Sequence, residues 1–178
     1  MNITILGTGK VGHTIGTKLI QLGHNVIMGS RTSTNEKANA WVKVNGVNSS
    51  QSTFSKAAKF GEIIFNCTSG MASLEALKLA GGENMKGKIL IDVANPLDFS
   101  KGMPPTLSVC NDDSLGEQIQ RTFPDVKVVK ALNTVNCNLM VNPSMLKGEH
   151  DLFMCGNDAS AKSKVLEILQ SWFGWKSV

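Results

Sequence analysis

The fold is decided at the start of the chain, where residues 2–12 read NITILGTGKVG. Residues 2–6 form a short apolar run rich in β-branched side chains, which predicts a strand. The following residues match the pattern GxGxxG, with glycine at positions 7, 9 and 12. Apolar residues then recur at helical spacing as far as Gly23, where the predicted helix ends. This arrangement of strand, glycine-rich turn and helix is the sequence signature of a dinucleotide-binding unit.

Each glycine of this motif has a physical role. Gly7 permits the tight turn, Gly9 lets a pyrophosphate approach the backbone, and Gly12 allows the helix to pack closely on the strand. Free N–H groups and the positive end of the helix dipole then face the phosphates. We therefore predict that a dinucleotide binds at the segment Gly7-Thr8-Gly9-Lys10-Val11-Gly12.

Strand and helix patterns alternate along the rest of the chain, which favours a parallel sheet with crossover helices. Further strands are predicted at residues 25–28, 47–53, 63–67, 88–93, 126–132 and 152–155. A capping box at 33–36 opens one predicted helix; others are predicted at 54–60, 72–80, 114–123 and 159–173, with the longest loop at 97–113. The pattern predicts an α/β, Rossmann-type, doubly wound and mostly parallel sheet with helices on both faces, in one domain over residues 1–178. Residues 175–178 look like a strand just beginning, so we expect a chain truncated at its C-terminus.

Composition excludes several classes of protein. Of the 178 residues, 42% are hydrophobic and 18% charged, which is an ordinary globular balance. No apolar run is long enough to span a bilayer and the N-terminus lacks a basic signal region, so we predict a cytoplasmic protein without membrane contact. The 4 cysteines form no CxxC pair and the 3 histidines are scattered, which predicts no metal site. The net charge of +4 comes from dispersed lysines, so nucleic-acid binding is not expected either.

The end of the second predicted strand selects the cofactor. An NAD site places an acidic residue there to bind the ribose 2′-OH, but residues 29–32 read GSRT and the nearest acid is Glu36. The Ser30 hydroxyl and the Arg31 guanidinium suit a 2′-phosphate instead. Thr32 and Lys37 are further candidates for the same site. We therefore predict NADP(H) as the cofactor.

Five segments in this order carry a more specific signal: GTGKVG at 7–12, GSR at 29–31, DVANP at 92–96, VKALNT at 129–134 and CGND at 155–158. Together they resemble the coenzyme F-420-dependent NADP oxidoreductases, and also the reductase domain of the six-transmembrane epithelial antigen metalloreductases. The resemblance extends over nearly the whole chain. It implies that in the family a further strand and helical segment follow the position of Val178 and contribute to dimer contacts, so a homodimer is one expected assembly.

The resemblance also implies a role for each loop at the carboxyl ends of the strands. Thr8 to Val11 would line the pyrophosphate, and Ser30 and Arg31 the 2′-phosphate. The nicotinamide half would lie near three further segments: Cys67, Thr68 and Ser69; Ala94, Asn95 and Pro96; and Ala131, Leu132 and Asn133. The chain departs from the archaeal deazaflavin enzymes at Asn133, where those enzymes have histidine and the metalloreductase domains have asparagine.

The expected reaction is hydride transfer between the nicotinamide and a flavin-like or deazaflavin (coenzyme F-420) acceptor, a small-molecule partner. This acceptor would lie against the 131–134 loop, the Pro96 loop and the 97–113 segment. No catalytic acid–base pair is predicted, and ring-to-ring hydride transfer proceeds without one. Two alternatives remain open: an NADP(H)-binding sensor or regulatory module without turnover, and an imine or ketone reductase, which would need an all-helical dimerisation domain.

Overall fold

The computed structural model describes residues 1–178 and contains nine strands and eight α-helices. The strands are β1 (Asn2–Leu6), β2 (Asn25–Ser30), β3 (Ser49–Thr53), β4 (Ile63–Asn66), β5 (Ile89–Asp92), β6 (Leu97–Asp98), β7 (Thr106–Leu107), β8 (Lys127–Ala131) and β9 (Met154–Cys155). The helices are α1 (Lys10–Gln21), α2 (Glu36–Asn45), α3 (Phe54–Phe60), α4 (Gly70–Ala80), α5 (Gly82–Met85), α6 (Leu115–Thr122), α7 (Cys137–Met140) and α8 (Ala159–Ser171).

Seven of the strands form one sheet in the order β3-β2-β1-β4-β5-β8-β9. All neighbouring pairs are parallel except β8 with β9. The strand order reverses direction between β1 and β4, which is where ligands bind in open α/β sheets. The predicted doubly wound, mostly parallel Rossmann-type sheet is therefore confirmed, and the parallel strands all end at one edge, the carboxyl edge.

Helices cover both faces of the sheet and form two separate cores. Helices α1, α2, α7 and α8 pack on one face, and α3 to α6 pack on the other. Strand β4 shows why residues 63–65 are all apolar: Ile63 and Phe65 point into the first core and Ile64 into the second. A strand buried on both faces has no position for a solvent-facing polar residue.

Several local predictions were wrong in detail. The start of α2 is capped by Asn35, whose side chain accepts from Ala38 N at 3.0 Å, and not by Ser33 of the predicted capping box. Asn and Ser cap helices equally well, so the local sequence left two candidates. Strand β2 runs on to Ser30 because its residues 26–30 pair with β3, with Ser30 opposite Thr53. The predicted 97–113 loop contains the hairpin of β6 and β7, and α5 was not predicted.

The polar strand predicted at 47–53 is confirmed as β3. It lies at the outer edge of the sheet, where only one neighbour is needed. At the other end of the chain, the buried Trp175 donates its indole N–H to the Met140 carbonyl at 3.0 Å, and Ser177 forms a single parallel bridge with Asp151. No helix of the structure is both long and apolar enough to cross a membrane.

A buried polar network ties together the carboxyl ends of β4, β5 and β8. Asp92 is fully buried at the end of β5. Its Oδ1 accepts from Asn66 Nδ2 at 2.8 Å and from Ala94 N at 3.2 Å, and its Oδ2 lies 2.8 Å from Lys130 Nζ. The Lys130 ammonium also donates to the Ala94 carbonyl oxygen. The carboxylate is thus fully satisfied, and the pair fixes the loop after β5 against β8.

Replacing Asp92 by alanine removes one partner of a buried ion pair and leaves Lys130 without compensation. We expect Asp92→Ala to lower the free energy of unfolding by about 3–5 kcal/mol, measured by urea denaturation. The control is Asp125→Ala, which breaks an ion pair with Lys86 whose two side chains are exposed. An equal effect of the two variants would show that the buried network does not stabilise the sheet.

Candidate functional site

A cleft of about 500 Å³ opens at the carboxyl edge around the switch point between β1 and β4. It is bounded by the loops after β1, β2 and β4 and by one face of α4; we refer to it as the cofactor cleft. Its lining residues are Gly7, Thr8, Gly9, Ser30, Arg31, Thr32, Asn35, Phe54, Cys67, Thr68, Ser69, Ala72, Glu75, Ala76 and Leu79.

The glycine motif forms the floor of the cofactor cleft. Gly7 has a φ of +114°, and a Cβ on it would lie 2.5 Å from the Cys67 carbonyl oxygen. A Cβ on Gly12 would lie 2.5 Å from the Gly7 carbonyl oxygen, so α1 can approach β1 only because both residues lack a side chain. A Cβ on Gly9 would meet nothing within 4 Å. The turn is therefore closed towards the protein and open towards the cleft.

The N-terminus of α1 is suited to an anion. Gly9 is its N-cap, no side chain caps the helix, and its first turn contains no acidic residue. The first N–H groups of a helix have no partner within the helix, and the helix dipole favours a negative charge beside them. The geometry therefore fits a pyrophosphate at Gly9.

The turn after β2 presents two exposed donors to the cleft. The Ser30 side chain is buried, and its hydroxyl donates to the Thr32 carbonyl at 2.5 Å, so its only proton stabilises the turn itself. Arg31 and Thr32 are exposed at the mouth of the cleft. The other arginine of the chain, Arg121, is paired with Asp113 at 2.7 Å, whereas Arg31 forms no salt bridge. The Arg31 guanidinium is thus free to bind a phosphate, and Ser30 shapes the turn.

A second cavity of about 540 Å³ opens on the same edge, beyond β5 and β8. The loops after these strands, the β6–β7 hairpin, the start of α6 and the segment around β9 enclose it. Its lining residues are Asn95, Pro96, Leu107, Val109, Ser114, Leu115, Gly116, Glu117, Gln120, Val128, Lys130, Asn133, Cys155, Gly156 and Asn157.

Close contacts hold together the loops that separate the two cavities. The Asn95 side-chain amide donates to the Asn133 carbonyl at 2.7 Å, and the Asn133 amide donates back to Asn95 Oδ1 at 3.1 Å. Gly70 packs so closely on Asn95 that a Cβ would overlap the Asn95 carbonyl oxygen. Leu132 is fully buried with a φ of +68°, a conformation that is strained for a side chain of its size.

The predicted site residues divide between these two cavities. Nine line the cofactor cleft: Gly7, Thr8, Gly9, Ser30, Arg31, Thr32, Cys67, Thr68 and Ser69. Three line the second cavity: Asn95, Pro96 and Asn133. Seven predicted site residues line neither cavity: Lys10, Val11, Gly12, Lys37, Ala94, Ala131 and Leu132. The side chains of Ala94, Ala131 and Leu132 pack in the two cores, which leaves only their backbone to face a ligand.

Lys37 lies close to His13 rather than in the cofactor cleft. Burial, and then the Lys37 charge, lower the pKa of His13 below its usual value. The cleft also contains a cysteine, but burial and the nearby Asp92 carboxylate raise the pKa of the Cys67 thiol well above its usual range. Cys67 is therefore a neutral lining group and not a nucleophile at neutral pH.

Sequence analysis missed six lining residues of the cofactor cleft. Four of them, Ala72, Glu75, Ala76 and Leu79, lie on one face of α4. Their spacing at i, i+3, i+4 and i+7 was visible in the sequence, but a helix face of this kind usually packs in a core. Asn35 and Phe54 are the other two. Asn35 lies at the start of α2 and Phe54 at the start of α3, where the local sequence predicted a helix start but no ligand contact.

The sheet order and the open glycine turn define a Rossmann-type dinucleotide-binding protein, and the free arginine suits NADP. A family model described as "NADP oxidoreductase coenzyme F420-dependent" matches residues 2–96, more than half of the chain. The chain therefore belongs to the coenzyme F420-dependent NADP oxidoreductase family, and the resemblance seen in the sequence is confirmed.

Individual relatives agree with this assignment. The F420-dependent NADP reductase of Methanocaldococcus jannaschii is 28% identical over 187 residues, covering 100% of this chain and 82% of that protein. The metalloreductase STEAP3 of Rattus norvegicus is 29% identical over 171 residues, or 95% of this chain but only 32% of that protein. A crystal structure of a candidate F420-dependent NADP-reductase from Arthrobacter sp. FB24 has a TM-score of 0.92 and 47% identity, covering 99% of this chain and 82% of that one.

Two glycine variants separate folding from nucleotide binding. Gly12→Ala places a methyl group against backbone, so we expect a loss of about 1–3 kcal/mol in stability together with weaker NADPH binding. Gly9→Ala has room for its methyl group on the cleft side, so it should cost less than about 1 kcal/mol and yet weaken NADPH binding strongly. Thermal unfolding and NADPH fluorescence titration measure both effects. Normal NADPH affinity in folded Gly9→Ala would contradict the position of the pyrophosphate.

Arg31→Ala tests the choice of cofactor. Loss of a charge-assisted pair to the 2′-phosphate should cost roughly 2–3 kcal/mol in NADPH binding, which is about 30- to 150-fold in Kd. NADH lacks that phosphate and should bind almost unchanged. Arg121→Ala is the matched control, since Arg121 lies on α6 outside the cofactor cleft. Equal losses for NADPH and NADH in Arg31→Ala would exclude the proposed contact.

Proposed function

We propose that this protein catalyses hydride transfer between NADPH and a flat ring acceptor of the flavin or deazaflavin type, with coenzyme F-420 as the first candidate. The observation that carries the proposal is the second cavity, which lies next to the cofactor cleft on the same sheet edge. The loops around it, at Pro96, 131–134 and 97–113, are those expected to hold the acceptor. Support for coenzyme F-420 comes from the family description and from the name of the Methanocaldococcus jannaschii relative.

When bound, NADPH supplies the hydride and so carries the reactive chemistry itself. The N-terminus of α1 would hold the pyrophosphate, and Arg31 and Thr32 would hold the 2′-phosphate. The Asn95–Asn133 pair fixes the two loops between the cavities, so the protein positions the reacting rings relative to each other. The buried thiol of Cys67 offers no competing nucleophile.

Asn133 occupies the position at which the archaeal deazaflavin enzymes have histidine, and this difference bears on the identity of the acceptor. Asn133 holds the two loops together, since its backbone carbonyl accepts from the Asn95 side-chain amide and its own side-chain amide donates to Asn95 Oδ1. It has no titratable proton, so it contributes hydrogen bonds and orientation but no acid catalysis. A ring acceptor that needs no general acid at the moment of hydride transfer is consistent with this site.

The test is anaerobic oxidation of NADPH with coenzyme F-420, FMN, FAD and riboflavin offered separately. The rate of oxidation is measured from the loss of absorbance of the reduced nicotinamide. We expect turnover with at least one of these acceptors and a strong preference for NADPH over NADH. Arg31→Ala should reduce that preference and Arg121→Ala should not. Tight NADPH binding without turnover of any acceptor would contradict the proposal and favour a sensor or regulatory module.

A further inference from the structure

Lys130 gives the second cavity a charged group that the hydride transfer itself does not require. Its ammonium uses one donor on Asp92 Oδ2 and one on the Ala94 carbonyl oxygen. An ammonium group carries three donors, so one remains. The side chain is 18% exposed and lines the second cavity, whereas its partner Asp92 is fully buried. The remaining N–H is therefore available to a ligand in this cavity.

The rest of the second cavity has the shape and chemistry of a ring-binding site. Leu107 of the hairpin, Leu115 of α6 and Val128 of β8 contribute apolar walls. The volume of about 540 Å³ lies within the range of small-molecule sites. Lys130 is the one cationic residue of the lining, and the other charged residue, Glu117, accepts a hydrogen bond from the Ser114 hydroxyl at 2.7 Å. Apolar walls with one cationic donor orient a flat ligand by its polar edge, because burying that edge against hydrocarbon is unfavourable.

We infer that the second cavity binds the acceptor and that Lys130 donates a hydrogen bond to a carbonyl on the polar edge of its ring. The inference rests on the proposed function and deepens it, because it assigns to Lys130 the recognition of the imide-type carbonyl edge that flavins and deazaflavins share. Lys130 thereby becomes a residue that contacts substrate. Asp92 is a positioning residue, since it holds the ammonium at the wall of the cavity.

The charge balance of the reaction explains why an ammonium group lies there. A hydride carries one proton and two electrons from the reduced nicotinamide to the acceptor, so the nicotinamide is oxidised and the ring is reduced. The ring then holds an extra negative charge on its carbonyl side until water supplies a proton. A fixed cation beside that carbonyl stabilises the charge as it develops. Lys130 does not have to give up a proton in this step.

The paired carboxylate does not cancel this effect. Asp92 is also neutralised by donors from Asn66 and from the Ala94 backbone, at 2.8 and 3.2 Å. Its negative charge is thus spread over three sets of hydrogen bonds behind the cavity wall. The ammonium, in contrast, is the part of the pair that reaches the cavity.

Cys155 provides a direct reporter of occupancy. It is exposed, lines the second cavity and lies opposite Lys130 in the antiparallel pairing of β8 and β9. Of the other cysteines, Cys67 and Cys137 are buried and Cys110 is exposed outside the cavity lining. In a Cys110→Ser variant, Cys155 is therefore the one accessible thiol.

The first experiment measures the rate of N-ethylmaleimide alkylation of Cys155 in the full chain carrying Cys110→Ser. One reference sample contains no ligand, all others contain NADP⁺, and coenzyme F-420, FMN, FAD or riboflavin is added to separate NADP⁺ samples. We expect the acceptor that is reduced in the turnover assay to slow alkylation at least about 5-fold, and NADP⁺ alone to leave the rate unchanged. An acceptor that is reduced at saturation but leaves the rate unchanged would overturn the inference.

The second experiment removes the charge. Lys130→Met is combined with Asp92→Asn so that no unpaired charge is buried, and the exposed pair is removed in the matched control Lys86→Met with Asp125→Asn. We expect the first double variant to need at least 10-fold more acceptor for the same protection of Cys155 and to have a lower kcat, with NADPH affinity unchanged. The control should match the parent protein. Unchanged acceptor affinity and kcat in the first double variant would overturn the role of Lys130.

A third variant keeps the test decisive if that double variant does not fold. Leu107→Trp, at a half-exposed position on the rim, narrows the second cavity without touching the ion pair. It should raise the KM for the acceptor and leave NADPH binding unchanged, and an unchanged KM would overturn the inference.

Protection of Cys155 without any NADPH oxidation would contradict the proposed function alone, while oxidation without protection would contradict only the assignment of the second cavity.

Discussion

The close approach of α1 to β1 is the constraint on which the rest of the structure depends. Neither Gly7 nor Gly12 has room for a side chain, because each packs directly on backbone. This contact points the uncapped start of α1 at the switch point of the sheet. A phosphate site made of backbone N–H groups needs no charged side chain of its own, which explains why the cofactor cleft contains so few. The turn after β2 then supplies the one unpaired cation of the cleft lining, Arg31, and it is there that we expect the cofactor to be selected.

The carboxyl edge beyond this turn is organised by polar contacts between distant segments. Asp92 and Lys130 join β5 to β8, and Asn95 and Asn133 join the loops that follow these strands. The strained backbone at Leu132 is held by its complete burial. These contacts divide the edge into two cavities, one with the glycine turn and Arg31, the other with apolar walls and the Lys130 ammonium. A cofactor and a ring acceptor could therefore be held side by side, each by its own donors.

The extent of the family match agrees with this separation into a cofactor cleft and a second cavity. The part of the chain that the family model matches ends at Pro96, so it includes the whole cofactor cleft and only the first loop of the second cavity. The later segments that complete this cavity, from the hairpin to β9, are where an acceptor is recognised in our proposal. A shared nucleotide half with a separately built acceptor half is a general way for one fold to serve different substrates.

The sequence by itself determined the features that depend on neighbouring residues. The strand–turn–helix of residues 2–12, the apolar strands at 63–67 and 88–93 and the arginine after β2 were all predicted, because turn geometry, side-chain periodicity and local charge act over a few positions. Tertiary structure alone decided that Asn35 caps α2, that one face of α4 lines the cofactor cleft, and that Asp92 meets Lys130. These last two residues are 38 positions apart. Their contact, and the cavity beside it, result from the packing of strands whose order no local pattern specifies.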